Sequence, residues 1–319
     1  MTDNHSEEGA RFPMSMVSSG VWAKEVPLEK AHSLPSVVRG ERATMRSELA
    51  RIGYLGEIAC SYESTPMAAH FELHIEQGPI LEKNNQKIGV VQGVQAYRWF
   101  TITVKGRDSH TGTTDLANRA DALLAASKMI VASREAAYQE GALASTGIIE
   151  AKPGSTNTVS GHVTFSLDIR ARADKTVERT EKRLKEEFAR IAAAQDIPTA
   201  FDGLTSEAHK DVCAVQWRTD SVSPAVNFHP DCIKCVEGAA SDIFGDRAEQ
   251  LTRPMVSGAG HDSVYTSKRV PTCMIFVPCR DGVSHNPAEY TSPEDCAIGA
   301  QVLMGAVLRY DQLRLEREA

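Results

Sequence analysis

The chain has 319 residues, 35 Lys and Arg against 42 Asp and Glu, a net charge of -7 and 42% hydrophobic residues. That balance disfavours nucleic acid or an anionic membrane surface as the main partner, since both reward basic patches, while the apolar content suffices for the core of one large domain or two ordinary ones. No window approaches the ~18 apolar residues of a membrane span and the polar, acidic residues 1–8 are unlike a secretory signal, so a soluble cytoplasmic protein acting on a small molecule is expected.

Glu7-Glu8-Gly9 reads as a turn carrying two adjacent carboxylates, with only six residues in front of it. Residues 13–40 read as irregular, broken by Pro13, Pro27 and Pro35. A helix is expected at 40–53, ended by Gly53. In His70-Phe71-Glu72-Leu73-His74-Ile75-Glu76-Gln77 the apolar residues alternate with Glu72, His74 and Glu76, which predicts a strand gathering two acids and a histidine on one face; Gly78-Pro79 stops it. Residues 88–94 form a second strand.

From about 98 to 204 the pattern is self-contained. A strand at 98–105 leads through a loop to a helix at 117–139, with Ala120, Leu123, Leu124, Ser127, Ile130 and Val131 on one side. Strands at 144–151 and 162–170, a charged amphipathic helix at 174–194 and a strand near 197–202 complete a β-α-β-β-α-β order, the ferredoxin-like arrangement, inserted into a host domain. The inserted domain is assigned to 96–205 and the host to 1–95 and 206–319. The host resumes with a helix at 207–219, a strand at 225–228, a helix at 231–245, a strand at 273–277 and a helix at 293–316. This alternation implies an α/β layer structure with a largely parallel sheet.

An adjacent Glu7-Glu8 pair can divide labour, one carboxylate on a cation and the other acting as base on a water, although most such pairs are solvated surface charge. His74 ends one strand and His285 follows another, where α/β sheets place their sites. Ligands from separate loops are the catalytic metal pattern. His110, in Asp108-Ser109-His110-Thr111-Gly112, is placed near a helix N-terminus and suits a neutral donor to an oxyanion; the alternative is a loop histidine satisfied by its own backbone. Arg170 is either a two-pronged carboxylate clamp or the salt-bridge partner of Asp168. The seven cysteines, an odd number, fit reduced thiols, and Cys232-x-x-Cys235 reads as incidental. There is no G-x-S-x-G for serine hydrolysis, no P-loop and no dinucleotide glycine signature.

Taken in order, Glu7-Glu8-Gly9-Ala10-Arg11-Phe12, Glu72-Leu73-His74-Ile75-Glu76-Gln77-Gly78-Pro79, Asp108-Ser109-His110-Thr111-Gly112, Asn157, Leu167-Asp168-Ile169-Arg170, Ser257-Gly258-Ala259-Gly260-His261-Asp262 and Ser284-His285-Asn286-Pro287 resemble the hydantoinase/carbamoylase branch of the M20 metallopeptidase-like amidohydrolases. The branch includes N-carbamoyl-L-amino-acid hydrolase, β-ureidopropionase and allantoate amidohydrolase. The resemblance implies a two-metal catalytic domain (zinc, manganese or cobalt) with an inserted lid that forms a homodimer. It implies Glu8, His74 and His285 as metal ligands, Glu7 as base, and His110 as a carbonyl-polarising group acting on the partner subunit's site. It further implies Gln77, Asn157, Arg170, Gly258, Ala259 and Gly260 as substrate contacts. The family also takes a ligating histidine and a metal-bridging aspartate from upstream of the Glu-Glu turn, and Asp3 and His5 lie too close to Glu7 to match them. The expectation is therefore an amidohydrolase incomplete at its N-terminus, holding two metals, one or none, with an inactive dimerising or ligand-binding protein as the alternative.

Overall fold

The computed structural model describes residues 11–193 and 212–318. Two compact units divide the chain: Met1–Val94 with Val226–Ala319, and Gln95–Ala225 between them.

In the first unit the strand Thr272–Val277 is buried along its whole length, as expected of a strand covered on both faces. It pairs in parallel with His70–Ile75, so that His74 stands beside Phe276, and antiparallel with Ile88–Val94. Ile88–Val94 in turn pairs in parallel with Thr252–Ser257 and antiparallel with Val226–Asn227. The sheet is mixed where a largely parallel one was expected. The reason is the short return through the Ile80–Lys83 helix, which brings Ile88–Val94 back against the direction of His70–Ile75 without a full crossover.

The helices Pro230–Phe244 and Pro293–Glu318 pack on one face of this sheet through Val236, Ala239, Ala240, Val302 and Ala306. Gly299 permits the approach: a β-carbon there would stand 2.7 Å from side-chain atoms of Leu73 and Val277. On the other face Leu81, Val264, Met274 and Phe276 form a second cluster. The stretch expected to be irregular, 13–40, contains the short helices Val17–Trp22 and Leu28–Ser33, which bury Phe12, Val17, Val21 and Ala31 with Met45. The helix expected at 40–53 spans Met45–Arg51, started by a capping box between Thr44 and Ser47.

In the second unit, Ala96–Lys105 is flanked by antiparallel His162–Ala171 and Ala214–Ser223. The segments Leu143–Ser145 and Ile149–Lys152 pair with the outer side of His162–Ala171. Period-two alternation sends Phe100, Ile102, Val104, Phe165, Leu167 and Ile169 into the core, where two helices cover them. One is Asp174–Ala193, burying Val177, Leu184, Phe188 and Ile191 at helical spacing. The other, Ala122–Glu140, begins where Asp121 accepts hydrogen bonds from Leu123 and Leu124 N–H and ends at Gly141, φ 71°.

Two expectations change here. Residues 214–219, assigned to a helix, are strand, because Cys213, Val215 and Trp217 alternate into the core. The central unit accordingly runs to Ala225 instead of 205. The long helix buries Ala122, Ala125, Ala126, Met129, Ala136 and Ala137, not the leucine face. Small alanines let it lie close on the sheet and leave Leu124 and Val131 52% and 61% exposed. The strand expected near 197–202 lies outside the described residues.

Candidate active site

Glu7 and Glu8 lie outside the described residues. His74 is the penultimate residue of the strand His70–Ile75, and His285 lies in the loop after its parallel neighbour, so both belong to the carboxyl ends of adjacent strands. Two contacts tie these strand ends together. Gly282, with φ +66°, lies against Pro79 so closely that a β-carbon would meet the Pro79 nitrogen at 2.7 Å, and Asp281 N–H donates to Glu82 at 2.6 Å. The result is a junction of side chains: Gln77 Nε2 donates to Ser284 Oγ at 3.0 Å and meets His285 Nε2 at 3.4 Å. Gln77 and His285 both hold φ 56°, an uncommon conformation for non-glycine residues that tends to persist at functional sites.

The tautomer of each imidazole follows from its hydrogen-bond partner. His74 Nδ1 donates to the Ile75 carbonyl at 2.8 Å, which leaves the Nε2 lone pair as the acceptor of the neutral ring. His285 Nε2 faces the Gln77 amide, a donor, so its lone pair is likewise at Nε2. This donor set fits a divalent metal of the zinc, manganese or cobalt kind. Among the described residues, no three His, Cys, Asp or Glu side chains gather as a metal-holding group.

The two acids beside His74 in sequence are not aimed at such a centre. Glu76 accepts Ile80 and Leu81 N–H, both at 2.8 Å, and so caps the helix that returns the chain. Glu72 belongs to a buried network. It accepts Ser263 N–H at 3.0 Å and Ser263 O–H at 2.6 Å, with His70 Nε2 at 3.6 Å and His261 Nδ1 at 3.9 Å. Burial pushes the Glu72 carboxyl up, but His70, the Ser263 donors and the charge of His261 outweigh it and hold the carboxyl at about 2. Burial, with His74 adding to it, brings the His261 imidazole down to about 4 against the pull of Glu72. His261 also packs edge-on against His74, centroids 4.7 Å apart, and shares a 2.8 Å hydrogen bond with Ser257 Oγ, which accepts Ala259 N–H. The Gly258-Ala259-Gly260 backbone is thus tied through His261 to the ring of His74. Ser19 donates to Asp262 and anchors the next residue to the helix Val17–Trp22.

In the central unit, His110 forms a short strand, Ser109–His110, with Thr158–Val159. It is not at a helix N-terminus, since Ala122–Glu140 starts twelve residues later at its Asp121 cap. The neutral-donor chemistry has another source here. Gly112 N–H donates to His110 Nδ1 at 3.0 Å, so the ring proton sits on the exposed Nε2. Thr111 N–H donates to the Asn157 carbonyl at 2.9 Å, bringing Asn157 next to His110. Arg170 makes a two-pronged pair with Asp168, with Nε 3.0 Å and Nη2 2.7 Å from Asp168 Oδ2, and lies 5.4 Å over the Tyr97 ring.

A cavity of about 720 Å³ is lined by residues between Arg11 and Cys60, none of them a described candidate residue. Cys232 and Cys235 are buried at the start of their helix, and burial, together with the neighbouring Cys235 and Asp231, pushes the Cys232 thiol up to about 12, which fits an inert core role.

The sequence profile of peptidase family M20/M25/M40 matches residues 22–309. The chain belongs to the M20 family. Among its relatives is the N-carbamoyl-L-amino-acid amidohydrolase of Rhizobium meliloti, 36% identical over 310 residues, covering 97% of this chain and 68% of the relative. The allantoate amidohydrolase of Bacillus subtilis is 31% identical over 299 residues, covering 93% and 67%. A crystal structure of a hydantoinase/carbamoylase family amidase from Burkholderia multivorans superposes with a TM-score of 0.80 at 36% identity, over 95% of this chain and 68% of that one. The chain spans about two thirds of the length of these relatives. As an M20 enzyme it combines strand-end histidines, which the sequence pattern pointed to, with the Glu72–His261 network, which it did not. The signal for the latter was the histidine in Ser257-Gly258-Ala259-Gly260-His261-Asp262, too polar for the buried position it occupies unless partnered.

Proposed function

We propose that this M20 enzyme hydrolyses a C–N bond of N-carbamoyl amino acids or related ureido acids, with allantoate as the alternative substrate, at a metal centre held by Glu8, His74 and His285. The observation that carries this reading is the His74 ring, whose Nδ1 hydrogen bond leaves the lone pair on Nε2, together with His285 held beside Gln77 in the loop after the neighbouring strand. A divalent metal bound there supplies polarisation of the ureido carbonyl and a water of lowered pKa. Glu7 takes the proton of the attacking water and returns it to the leaving amine. His110, protonated at Nε2, donates to the developing oxyanion. Gln77 and the Gly258-Ala259-Gly260 backbone orient the ureido group, Asn157 acts with its neighbour His110, and Arg170 takes the carboxylate, for which the arriving anion competes with Asp168.

The central unit serves as lid and dimer contact in this proposal, in a cytoplasmic homodimer. Eight register steps, ~26 Å at strand rise, separate the Tyr97–Arg170 pair from the Lys105–His162 pair, and the His110 loop leaves from the latter end. One small substrate does not span that length, which supports His110 serving the partner subunit's site. The exposed Leu124, Val131 and Tyr138 of the helix, beside the Leu143–Ser145 strand with Leu143 also exposed, supply an apolar contact surface.

The test is turnover by the purified chain with zinc, manganese or cobalt on a panel of N-carbamoyl amino acids and allantoate. Release of ammonia and free amino acid supports carbamoyl hydrolysis, and ammonia with ureidoglycine-type product supports allantoate. Tight binding without turnover supports the ligand-binding alternative instead.

A further inference from the structure

In the Gln95–Ala225 unit, the helices cover one face of the sheet, and the residues of opposite parity define the other. On that face the register places Tyr97 opposite Arg170 and Trp99 opposite Asp168. Trp99 is 43% exposed, although large aromatic rings usually bury most of their surface. The rings of Tyr97 and Trp99 lie 5.2 Å apart at 31°, and the Arg170 guanidinium sits over Tyr97 while reaching along the strand to Asp168, the cross-strand neighbour of Trp99. A cation clamp, an aromatic ring beneath it and an exposed indole beside it thus form one continuous surface.

We propose that Trp99, supported by Tyr97, is the side-chain shelf of the substrate site, selecting N-carbamoyl amino acids with aromatic or large aliphatic side chains over allantoate. This rests on the reading of Arg170 as the carboxylate clamp. The carboxylate and the side chain of an amino acid leave the same carbon, so fixing the carboxylate on Arg170 holds the side chain within a few ångströms of it. The surface next to Arg170 is the Tyr97 ring, with the Trp99 indole 5.2 Å beyond it, and an apolar group covers both without leaving a polar group unpaired. Allantoate carries a second ureido group in place of that side chain, and its N–H and C=O groups find no partner on an aromatic face. Asp168, an acceptor only, offers no donor to the second ureido carbonyl.

The experiment compares wild type, Trp99→Ala and Trp99→Phe as full chains with divalent metal, on N-carbamoyl-L-phenylalanine, N-carbamoylglycine and allantoate. Wild type should prefer the phenylalanine derivative. Trp99→Ala should lose about tenfold or more in kcat/KM on it, mainly through KM, with the glycine derivative within about twofold, and Trp99→Phe should keep most of the preference. Equal losses on both derivatives, or no wild-type preference, overturn the shelf. Calorimetric binding of the same compounds separates this from the reaction itself. Without turnover, selective weakening of N-carbamoyl-L-phenylalanine binding by Trp99→Ala supports the shelf and refutes the hydrolytic reading; unchanged binding refutes the shelf. An Arg170→Ala variant that binds all three compounds as wild type does removes the clamp on which the shelf depends.

Discussion

Gln77 and His285 meet at 3.4 Å from loops 208 residues apart, each in the left-handed backbone region. A backbone of this kind separates side-chain function from conformation, because glycine accepts it without strain. Gln77→Gly should therefore keep the fold, with a melting temperature close to wild type, yet lower kcat/KM by about a hundredfold, or roughly 2.7 kcal/mol of transition-state stabilisation. Steady-state kinetics beside scanning calorimetry checks this; wild-type turnover would reduce Gln77 to a loop residue.

Arg170 and the loop that leads to His110 lie at opposite ends of the Ala96–Lys105 and His162–Ala171 strand pair, which makes their cooperation testable by mixing. In a hybrid of His110→Ala and Arg170→Ala subunits, one site has both residues intact if His110 acts across the dimer. Randomly exchanged subunits should then regain about a quarter of wild-type activity from two inactive parents, since half the dimers carry one good site of two. No recovery after verified subunit exchange means that one subunit supplies both residues of a site.

Acid should weaken the metal-free enzyme in two stages. His261 titrates at about 4 in the fold against an ordinary 6.5, so the unfolded chain takes up its proton first and stability falls as pH drops from 6.5 towards 4. Glu72 titrates at about 2 against 4.5, so its contribution is full above 4.5 and is lost as pH falls towards 2. Together they should cost on the order of a few kcal/mol across this range. Urea unfolding with chelator present measures it. The slope above pH 4.5 should flatten in His261→Gln and the slope below it in Glu72→Gln; unchanged profiles in both would show that the network titrates as ordinary surface groups do.

Thiol chemistry offers a check on the core. Cys296 is exposed, whereas Cys232 and Cys213 are held up at about 12 and about 11, burial being the main cause in each. At pH 8 an aromatic disulfide reagent should label Cys296 rapidly in the folded protein and reach Cys213, Cys232 and Cys273 only after denaturation. Mass spectrometry of labelled peptides reads the order directly, and fast labelling of Cys232 would mean that its helix opens.

Much of this protein is decided locally. The continuous apolar run of Ile88–Val94, period-two alternation in Ala96–Lys105 and His162–Ala171, helical spacing in Asp174–Ala193, and the order of short polar motifs are properties of neighbouring residues, so the strands, the helix and the family resemblance are legible without a fold. Where two local patterns overlap, tertiary pairing decides. Residues 214–219 became strand because the Ala96–Lys105 edge accepts them, and the long helix turned its alanines inward because only small side chains allow close approach to the sheet. The roles of the polar residues were decided at the same level. Glu72, His74 and Glu76 share one face of one strand by sequence, yet one joins a buried network, one presents a lone pair and one caps a helix. What separates them is the hydrogen-bond partner each meets: Ser263 comes from 191 residues away, while the Ile75 carbonyl and the Ile80 and Leu81 amides are neighbours whose direction the turn at Gly78-Pro79 sets. A strand's alternation specifies the face on which a side chain emerges; only the packed structure specifies the donor or acceptor waiting there, because that atom belongs to another part of the chain or to a backbone turned towards it.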